Sequence, residues 1–575
     1  MLWNVKKSCP EAVQAVSQKA GVSEVLSHLL IQRGLLELED ASYFLNPSLK
    51  NLSDPYAIYN LKEGVELLSV AIDKQASIFI FGDYDVDGIT SIVQILSILR
   101  FYGLAPKYCV PHRLHEGYGL SRQAIKRALS SGKPDLMIIV DCGTNSKESI
   151  DYLSSLGISL IVIDHHKLTE AYPDSCTLIN PHVNDLGKEK QPWFKLSAAG
   201  LVFKFLYGLI KFRRELSDPI AERIRLSDII DLAGMGTIAD LVPLHGENRI
   251  IAWYGLRHLS SNKRTGIVAL LEASRMVAGQ SLKSSDVSFR LGPRINASGR
   301  LADASLPVEL LLSNDLACSK KLAQELERLN DERQCIERSI TQAAVSRIEA
   351  TGRDALGYVL YEEAWHSGVV GIVASRVSRL HNRPCIILGN DGSLIKGSGR
   401  SVSAVDLVKV LKDCETYLES WGGHPMAVGI SIQPDRLKSF TQAFERSIEK
   451  HYPKGIAEPE LEIATWIDFS AIGEKLFSDI TKLQPFGQEN PEPVFGLKGV
   501  IFKSAPITFG KTHKKFILTQ SGQMDQEVEG IAWNARALPK PNQLVDLAVR
   551  IESHTWNNKK SLRVILVDWR ESSIL

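Results

Sequence analysis

Residues 77–91 of the chain read SIFIFGDYDVDGITS, and the rest of the sequence can be organised around them. β-Branched and aromatic side chains fill positions 77–81 and Gly82 follows, which predicts a short buried strand ending in a tight turn. The turn carries three acids at alternate positions, Asp83, Asp85 and Asp87. Ionised carboxylates this close together repel one another strongly in a site partly closed to water. The stretch therefore predicts a cation among them.

The kind of cation depends on the other ligands. Carboxylate oxygens alone suit Mg²⁺, Ca²⁺ or Mn²⁺, and an added imidazole favours Mn²⁺ or Zn²⁺. The spacing is superficially that of an EF-hand loop, but no glutamate stands six residues after Gly88, and the apolar run 89–99 predicts a helix instead. A solvated acidic turn without a metal is the alternative, because acidic residues are common in turns.

Length and composition set the broad class of protein. A chain of 575 residues is too long for one core and predicts roughly three or four domains. With 44% hydrophobic residues and a net charge of +1, the composition is that of a soluble globular protein. The charge does not exclude nucleic acid, because a basic channel can balance an acidic metal site. No run approaches the ~18 apolar residues of a membrane span and no signal-peptide core follows the N-terminus, so we expect a cytoplasmic protein.

The cysteines are scattered along the chain. None of the eight falls in a C-x-x-C pair. This distribution argues against a disulfide framework and against a zinc knuckle.

From about residue 60 the sequence alternates predicted helices and strands. Helices are expected at 61–73, 89–101, 121–129 and 146–156, and strands at 77–81, 107–110, 136–140 and 160–163. Continuous apolar strands between amphipathic helices predict a parallel sheet that is covered on both faces. Ligands of such sheets bind beyond the carboxyl ends of the strands.

Acids or histidines follow three of these strands. Beyond the acidic turn, Asp141 follows strand 136–140, and strand 160–163 is followed by Asp164, His165 and His166. A single aspartate in such a place is more often a turn residue or helix cap, but three successive strand ends of this kind predict a metal site. Asp240, at the end of the apolar run 226–239, fits the set because the small residues around it suit close backbone approach.

Eight segments, in order, resemble those of the DHH phosphoesterase superfamily and, within it, of the bacterial single-strand-specific 5′ to 3′ exonucleases. They are GDYDVDG at 82–88, VDCG at 140–143, DHH at 164–166, GTIADLVPL at 236–244, RLGPRINASGRL at 290–301, WHSGVVGIVASR at 365–376, KGSGRS at 396–401 and GGHPMAVG at 422–429. The resemblance runs over most of the chain. It implies an α/β fold in which a DHH parallel-sheet domain and a DHH-associated α/β domain are joined by a long helix, with an OB-like β-barrel at the C-terminus.

The resemblance also implies two Mn²⁺ or Mg²⁺ ions. By position, the ligands would be Asp85, Asp87, Asp141, His165 and Asp240, with Asp141 as the bridge. Related phosphoesterases carry a histidine four residues before the first acid of the pair, where this chain has Phe81, so Asp83 is a candidate for the missing ligand. His166 would lie beside the scissile phosphate, as a ligand or as a donor to a phosphate oxygen, and Asp164 would orient an imidazole.

The implied chemistry needs no covalent protein nucleophile. Two cations about 3.5–4 Å apart can activate water, neutralise the phosphodiester and stabilise the leaving oxygen. Cys142 is therefore expected to be a small packing residue, although it adjoins Asp141. Structural roles are likewise expected for His182 and His245.

The second half of the chain is predicted to hold the nucleic acid. Residues 319–350 contain no glycine or proline and predict a long helix, and the leucine spacing does not persist as a coiled coil would require. Residues 355–455 predict another α/β unit, whose glycine-rich turns can present N–H groups and cations to phosphates. Through the resemblance, candidate contacts to the 5′-terminal phosphate and its neighbours are Arg294, Arg300, His366, Arg376, Ser398, Arg400 and His424.

The C-terminal part changes character after a proline-rich elbow at 483–495. Short alternating strands are expected at 500–502, 515–518, 530–533, 547–551 and 562–566. Five strands with basic loops such as 511–515 suit an OB-like barrel, a common platform for single strands. Four aromatic residues are candidates for stacking on bases, although core packing competes for each of them: Phe502, Phe516, Trp533 and Trp556.

We therefore expect five segments. They are an N-terminal helical cap at 1–50, a DHH catalytic domain at 51–310, a connecting helix at 311–352, a DHH-associated nucleic-acid-binding domain at 353–458 and an OB-like single-strand-binding domain at 459–575. The expected function is a metal-dependent exonuclease that degrades single-stranded DNA from the 5′ end to mononucleotides in DNA repair and recombination. The resemblance suggests a monomer, with single-strand-binding protein and a RecQ-type helicase as partners and no membrane association.

Two alternatives stay open. One is a DHH hydrolase of very short oligonucleotides or of a nucleotide monophosphate, which the length of the chain and the barrel disfavour. The other is a metal-less DHH relative that serves as a replication scaffold, which should have lost ligand positions that are filled here.

Overall fold

The computed structural model of the chain falls into two compact units. The described residues are 1–112, 116, 119–169, 171–183, 190–261, 264–277, 279–352, 355–392, 394–510, 512–521, 523–535, 537–556 and 559–572. The site unit consists of Ser53–Val242 and Tyr254–Glu458, and the barrel unit of Met1–Leu52, Pro243–Trp253 and Pro459–Leu575. Within the described ranges, no helix is both long and apolar enough to cross a membrane.

The first half of the site unit is built on one sheet, here called the site sheet, in which all neighbouring strands are parallel. Its five strands lie in the order Lys107–Cys109, Ile78–Gly82, Leu136–Val140, Ser159–Ile163 and Thr177–Ile179. The three central strands are buried almost throughout, so their sequences are continuous apolar runs. The predicted parallel sheet is confirmed.

Helices cover both faces of the site sheet. On one face, side chains such as Phe81 and Ile139 pack against the helices Arg122–Leu129 and Lys147–Ser155. Because alternate strand residues point to opposite faces, Gly82 points the other way, and a Cβ there would lie 2.8 Å from Ile92 of helix Val86–Phe101. Helices on that second face are Leu61–Asp73, Val86–Phe101 and Ala198–Glu215.

Further helices complete this half and lead out of it. Their bounds are Pro219–Arg223, Ile230–Ala239, Gly246–Ser260, of which residues up to Trp253 belong to the barrel unit, Thr265–Ala273, Ser284–Asp286, a π-helical turn at Val287–Leu291, Gly292–Leu301 and Leu306–Leu312. The connecting helix follows as Leu316–Thr351, 36 residues long. At 1.5 Å per residue it spans about 54 Å, and the long helix predicted at 319–350 is confirmed.

The second half of the site unit is a five-stranded mixed sheet. Its strands lie in the order Ser420–His424, Ala427–Ile432, Leu394–Arg400, Cys385–Asp391 and Tyr358–Tyr361. Only the last two are parallel to each other. The helices of this half are Val370–His381, Leu407–Lys412 and Leu437–His451.

The barrel unit contains a closed ring of five strands. In ring order they are Phe495–Phe502, Leu544–Trp556, Lys559–Glu571, Gln523–Ala532 and His513–Gln520, and the last pairs with the first. Shorter strands are Thr465–Trp466 and Ile507–Phe509, and helix Glu474–Lys482 precedes the ring. The predicted OB-like barrel is confirmed.

The N-terminal residues fold into the same core as the barrel. Their helices are Pro10–Ala20, Glu24–Ile31 and Leu38–Leu45. The sequence predicts a helical cap at 1–50, and besides these helices the segment contains the strand Leu2–Val5, which pairs with Glu460–Ile463. Arg249, 2% exposed, donates hydrogen bonds to the carbonyls of Phe44, Lys482, Leu483 and Gln484 and so joins three stretches of chain within the unit.

Candidate metal centre

The acids and histidines predicted from the strand ends lie together at one edge of the site sheet. Gly82 is paired with Val140, and Val140 with Ile163, so the residues that follow these strands begin level with one another. Asp141 turns away from its strand at a φ of 60°, a region that aspartate adopts more readily than most residues. The register of the strands and this turn together bring carboxylates that are far apart in sequence to one edge of the sheet.

The acidic turn is fixed by its own backbone. Asp85 caps helix Val86–Phe101, and its Oδ1 accepts hydrogen bonds from the N–H groups of Asp87 (3.0 Å) and Gly88 (3.2 Å). A Cβ on Gly88 would lie 2.4 Å from the carbonyl oxygen of Asp83, so only glycine allows the turn to close. Oδ2 of Asp85 accepts no hydrogen bond from the part of the chain that the structure describes.

Asp87 is buried against the start of helix Ala198–Glu215. Its two oxygens accept from the N–H groups of Ala198 (2.8 Å) and Ala199 (2.9 Å), where the helix dipole favours negative charge. Burial, followed by repulsion from Asp85, nevertheless raises the pKa of Asp87 to about 7. A Cβ on Gly236 would lie only 2.7 Å from Asp87 Oδ1, which explains a glycine at this place in helix Ile230–Ala239.

Three carboxylates surround one imidazole nitrogen. His165 Nε2 lies 3.4 Å from Asp141 Oδ1, 3.6 Å from Asp240 Oδ2 and 3.9 Å from Asp87 Oδ2. Burial, followed by the charge of His166, lowers the pKa of His165 to about 4, so the ring is neutral near pH 7. A neutral imidazole is the form that binds metal ions.

Repulsion between the carboxylates is visible in their pKa values. Burial raises the pKa of Asp141 well above its usual range, and Asp85, Asp87, Asp83 and Asp240 raise it further. Burial, Asp87 and Asp85 raise the pKa of Asp240 to about 9. Such a cluster is destabilised when ionised unless cations are present.

Asp164 orients the other histidine. Its Oδ1 accepts from the backbone N–H of His165 (2.8 Å) and from Nδ1 of His166 (2.7 Å), and its Oδ2 accepts from the Thr144 N–H (3.0 Å). Burial acts to raise the pKa of Asp164, but the His166 bond and the nearby imidazoles hold it well below its usual range. Burial likewise opposes the protonation of His166, yet Asp164 and Asp240 raise its pKa to about 9.

The donor set fits divalent cations of the Mn²⁺ and Mg²⁺ type. Three groups each place their ligand atoms within 4.8 Å of one another: Asp141, Asp164, His165 and His166; Asp87, His165 and Asp240; Asp83, Asp85 and Asp141. The groups contain carboxylate oxygens and imidazole but no cysteine. Hard oxygen ligands with a minority of nitrogen are suited to Mn²⁺ and Mg²⁺.

Sequence reasoning missed residues that hold the site together. Asn180 follows the fifth strand of the site sheet, Thr177–Ile179, and donates to Thr144 Oγ1 (2.9 Å) and to the His166 carbonyl (2.9 Å). The rule that found Asp141 and Asp164 could have found Asn180. No pattern in the sequence indicated that the N–H groups of Ala198 and Ala199 would bind Asp87.

Four of the seven candidate nucleic-acid contacts lie around the start of helix Val370–His381. Arg300 donates to the Gly368 carbonyl (3.0 Å), and His366 Nδ1 accepts from the Gly368 N–H (3.1 Å). A Cβ on Gly371, in the first turn, would lie 3.2 Å from Ser398 Oγ and 3.5 Å from Arg400 Nη2. The phosphate-side cluster, as we call Arg300, His366, Ser398 and Arg400, thus combines cations with a helix N-terminus, an arrangement that suits anions.

The other three candidates lie elsewhere. Arg294 is ion-paired with Glu327 of the connecting helix. Arg376 contacts Glu337 of the same helix at 2.8 Å, although half of its side chain is exposed. His424 is exposed on the edge strand, two strands away from Arg400 in the same register.

Cys142, His182 and His245, which are expected to have structural roles, each contact neighbouring protein groups. Cys142 is 3% exposed, and burial raises the pKa of its thiol well above its usual value, as for a packing residue. His182 meets the ring of Phe194 edge-on at 5.0 Å. In the barrel unit, His245 Nε2 lies 2.9 Å from the Glu489 carbonyl.

The barrel aromatics divide into two groups. Phe502 and Phe516 are buried in the barrel core with ring centres 4.8 Å apart, so packing rather than base stacking accounts for them. Trp533 is 48% exposed and meets the ring of His513 at 4.9 Å. The side chain of Trp556 and all of Lys511 lie outside the described residues.

Models of known domain families match three successive parts of the chain, which correspond in order to the site sheet, the mixed sheet and the barrel. The model of the DHH family, N-terminal domain, matches residues 77–237, that of the DHHA1 domain matches residues 352–450, and that of the RecJ OB domain matches residues 463–568. The resemblance inferred from the eight sequence segments is thereby confirmed.

Full-length relatives agree with the domain matches. The chain is 33% identical over 568 residues to the single-stranded-DNA-specific exonuclease RecJ of Dickeya dadantii, covering 94% of this chain and 95% of that protein. Its fold matches the crystal structure of Thermus thermophilus RecJ with Mn²⁺ (TM-score 0.82, 28% identity, 100% of this chain and 80% of that one). It also matches the same enzyme with Mg²⁺ (TM-score 0.77, 27% identity, 100% and 79%). The chain therefore belongs to the RecJ family of DHH phosphoesterases.

Proposed function

We propose that this protein is a metal-dependent exonuclease that degrades single-stranded DNA from its 5′ end to mononucleotides, in DNA repair and recombination. The observation that carries the proposal is the convergence of Asp87, Asp141 and Asp240 on His165 Nε2, all within 3.9 Å. Neutral imidazole and repelling carboxylates are the environment that divalent cations stabilise. Relatives carry the name single-stranded-DNA-specific exonuclease, and the Thermus structures hold Mn²⁺ or Mg²⁺.

Two Mn²⁺ or Mg²⁺ ions are assigned to the groups around Asp141. Asp141 belongs to two of the three groups of donors, which supports its assignment as the shared ligand. The other ligands are assigned as Asp83, Asp85, Asp87, His165 and Asp240. A bound pair of such ions supplies an activated water and neutralises charge on the attacking and leaving oxygens of a phosphodiester.

The chain's own residues orient the reacting groups. Ala198 and Ala199 fix both oxygens of Asp87, and the cap at Asp85 fixes the turn that carries it. We assign His166 to donation toward a phosphate oxygen, because Asp164 holds its Nδ1 and its side chain is 35% exposed. Asp164 is a positioning residue, since it acts through the two histidines.

Anchoring of the 5′ end accounts for the direction of degradation. We assign the phosphate-side cluster to the 5′-terminal phosphate, with bidentate recognition by arginine. Helix Gly292–Leu301 packs along the acidic turn, with Gly292 near Val86 and Gly299 near Tyr84, and Arg300 follows directly after Gly299. A 5′ end held at this cluster places the first diester at the metals, and each cut releases a mononucleotide.

The remaining assignments complete the proposal. The domain boundaries are those expected from the sequence, at 50, 310, 352 and 458. The protein acts in the cytoplasm as a monomer, the narrow approach admits single strands and excludes duplex, and single-strand-binding protein and a RecQ-type helicase are partners.

Digestion of an end-labelled oligonucleotide tests the proposal. Single-stranded DNA labelled at either the 5′ or the 3′ end is incubated with Mn²⁺ or Mg²⁺ and with wild type or Asp141→Ala. We expect mononucleotides to appear first from the 5′ label with wild type and no digestion with the variant. Cys142→Ala is the matched control, because it alters the neighbouring buried side chain without removing a donor.

Other results would redirect the assignment. Activity on dinucleotides and short oligomers only indicates a small-substrate hydrolase. Comparable rates on blunt duplex and single strands contradict the exclusion of duplex. If no substrate is hydrolysed in a metal-dependent reaction, the result favours a metal-less scaffold.

A further inference from the structure

Helix Gly292–Leu301 lies directly against the acidic turn. A Cβ on Gly292 would lie 3.6 Å from Val86 Cγ2, and one on Gly299 would lie 3.0 Å from the Cβ of Tyr84. The helix face that contains these two glycines therefore touches the residues on either side of Asp85. At the far end of the helix, Arg300 donates to the Gly368 carbonyl beside the phosphate-side cluster.

Asn296 occupies the middle of this face. At 100° per residue, positions 292, 296 and 299 fall within about 60° of one another around the helix. Position 296 is also one turn before Arg300, so the two side chains are neighbours on the helix surface. Asn296 thus belongs to the helix face that packs on the acidic turn, one helical turn before Arg300.

The amide oxygen of Asn296 has no hydrogen-bond donor among the described residues. This atom, Oδ1, is buried. The side chain as a whole is only half-buried, so it is in reach of a ligand that enters the site. A buried polar atom without a partner costs free energy, and asparagine is a weak helix former, so packing does not explain this residue. Packing of the helix is done by Ile295 and Ala297, both 0% exposed.

We propose that the side-chain amide of Asn296 binds a phosphate oxygen of the 5′-terminal nucleotide. The inference rests on the proposed exonuclease function and adds a binding residue to it. Because Oδ1 is the buried atom of a side chain that is only half-buried, the NH₂ group is the part of the amide that can donate to a phosphate, a strong acceptor. The phosphate that Asn296 binds is either the 5′-terminal phosphate or the first diester, and modified substrates distinguish the two.

Asn296→Asp tests the assignment with almost no change in shape. It replaces the donor by a carboxylate that repels phosphate, and we expect the Kd for single-stranded DNA, measured in EDTA by fluorescence anisotropy, to rise about 10- to 100-fold. Asn296→Leu is the second variant, because it fills the same space without a polar group. Its Tm should be no lower than that of wild type, whereas its affinity for DNA should be lower than that of wild type.

Controls separate this site from the metals and from general charge. Asn314→Asp adds the same negative charge at an exposed position in the same unit and should bind DNA as wild type does. The affinity of Asn296→Asp for Mn²⁺ alone, measured by calorimetry, should stay within twofold of wild type. A fall in Mn²⁺ affinity parallel to the loss of DNA binding would place Asn296 at the metals and overturn the proposal.

Modified substrates identify the phosphate. If the 5′-terminal phosphate is the ligand, the difference between wild type and Asn296→Asp disappears on a 5′-hydroxyl oligonucleotide. If the first diester is the ligand, the difference disappears when that linkage is a neutral methylphosphonate. Persistence of the full difference on both substrates, or equal binding by both proteins to normal DNA, overturns the inference. Wild type that digests no single-stranded DNA would instead contradict the proposed function.

Discussion

The guanidinium of Arg294 is held by the carboxylate of Glu327 through two hydrogen bonds, Nε to Oε2 at 2.5 Å and Nη2 to Oε1 at 3.1 Å. The two side chains are 12% and 22% exposed. A third bond runs from Arg294 Nη1 to the Arg290 carbonyl. Arg294 therefore fastens helix Gly292–Leu301 to the connecting helix, and its predicted contact with DNA stays a prediction.

Arg294→Ala should lower the stability of the fold more than it lowers the affinity for DNA. Loss of a partly buried charged pair leaves Glu327 unpaired, and we expect the free energy of unfolding to fall by about 1–3 kcal/mol in urea denaturation. Arg328→Ala removes an exposed arginine from the same connecting helix and should leave the unfolding midpoint unchanged. The double variant Arg294→Ala/Glu327→Ala should recover part of the loss. Unchanged stability together with weaker DNA binding would return Arg294 to the substrate path.

Gly236→Ala should weaken metal binding. The added Cβ would lie 2.5 Å from Thr90 Oγ1 and from the Ala199 Cβ, and 2.7 Å from Asp87 Oδ1, so Asp87 must shift. We expect Mn²⁺ affinity, measured by calorimetry, to fall at least tenfold, with exonuclease activity falling in parallel. Gly473→Ala, where a Cβ meets nothing within 4 Å, is the control and should retain both. Full Mn²⁺ affinity in Gly236→Ala would show that Asp87 is not a ligand.

Asp164→Asn should slow turnover. The amide cannot accept the full set of bonds that the carboxylate accepts from the His166 ring and from the backbone N–H groups of His165 and Thr144, so the His166 imidazole and the backbone that carries His165 lose their orientation. Loss of an orienting partner of this kind typically costs 10- to 100-fold in activity or metal affinity. Asp135→Asn is the matched control, because that carboxylate caps the Ser77 N–H at the opposite end of the same sheet. A turnover number equal to wild type in Asp164→Asn would remove Asp164 from the mechanism.

The stabilising effect of Mn²⁺ should grow with pH. Burial and neighbouring carboxylates raise the pKa of Asp87 to about 7 and that of Asp240 to about 9, whereas both titrate near 4 in the unfolded chain. Between these values the folded state holds more protons, so the metal-free protein loses stability as the pH rises. Ions that replace the protons remove this loss.

Thermal melts with and without Mn²⁺ measure this effect. We expect a larger upward shift in Tm at pH 8.5 than at pH 6, and proton release on binding in calorimetry with buffers of different ionisation enthalpy. Asp240→Asn, which carries no titrating group, should show a smaller dependence on pH. Equal shifts at both pH values would mean that the metal does not displace protons from these carboxylates.

Local patterns were sufficient for much of the fold. Strand Leu136–Val140 and helix Leu61–Asp73 have the bounds that their sequences predict, because a buried parallel strand is a short apolar run and a surface helix has a 3.6-residue apolar period. The same patterns located Asp141 and Asp164, since the residue after a strand lies at the ligand edge of the sheet. The barrel strands were located but not their ends, because the outer residues of a barrel strand are not apolar.

The sequence by itself determined the chemical groups, their order, and the edge of the site sheet at which they gather. Only the tertiary structure decided which groups meet: that Asp240 lies 3.6 Å from His165, that Asp87 is held by N–H groups more than a hundred residues away, and that Arg294 pairs with Glu327. It also decided that Met1–Leu52 folds with Pro459–Leu575. The physical reason is that strand and helix periodicity depend on neighbours in sequence, whereas these contacts depend on how packed elements approach one another, which no single segment encodes.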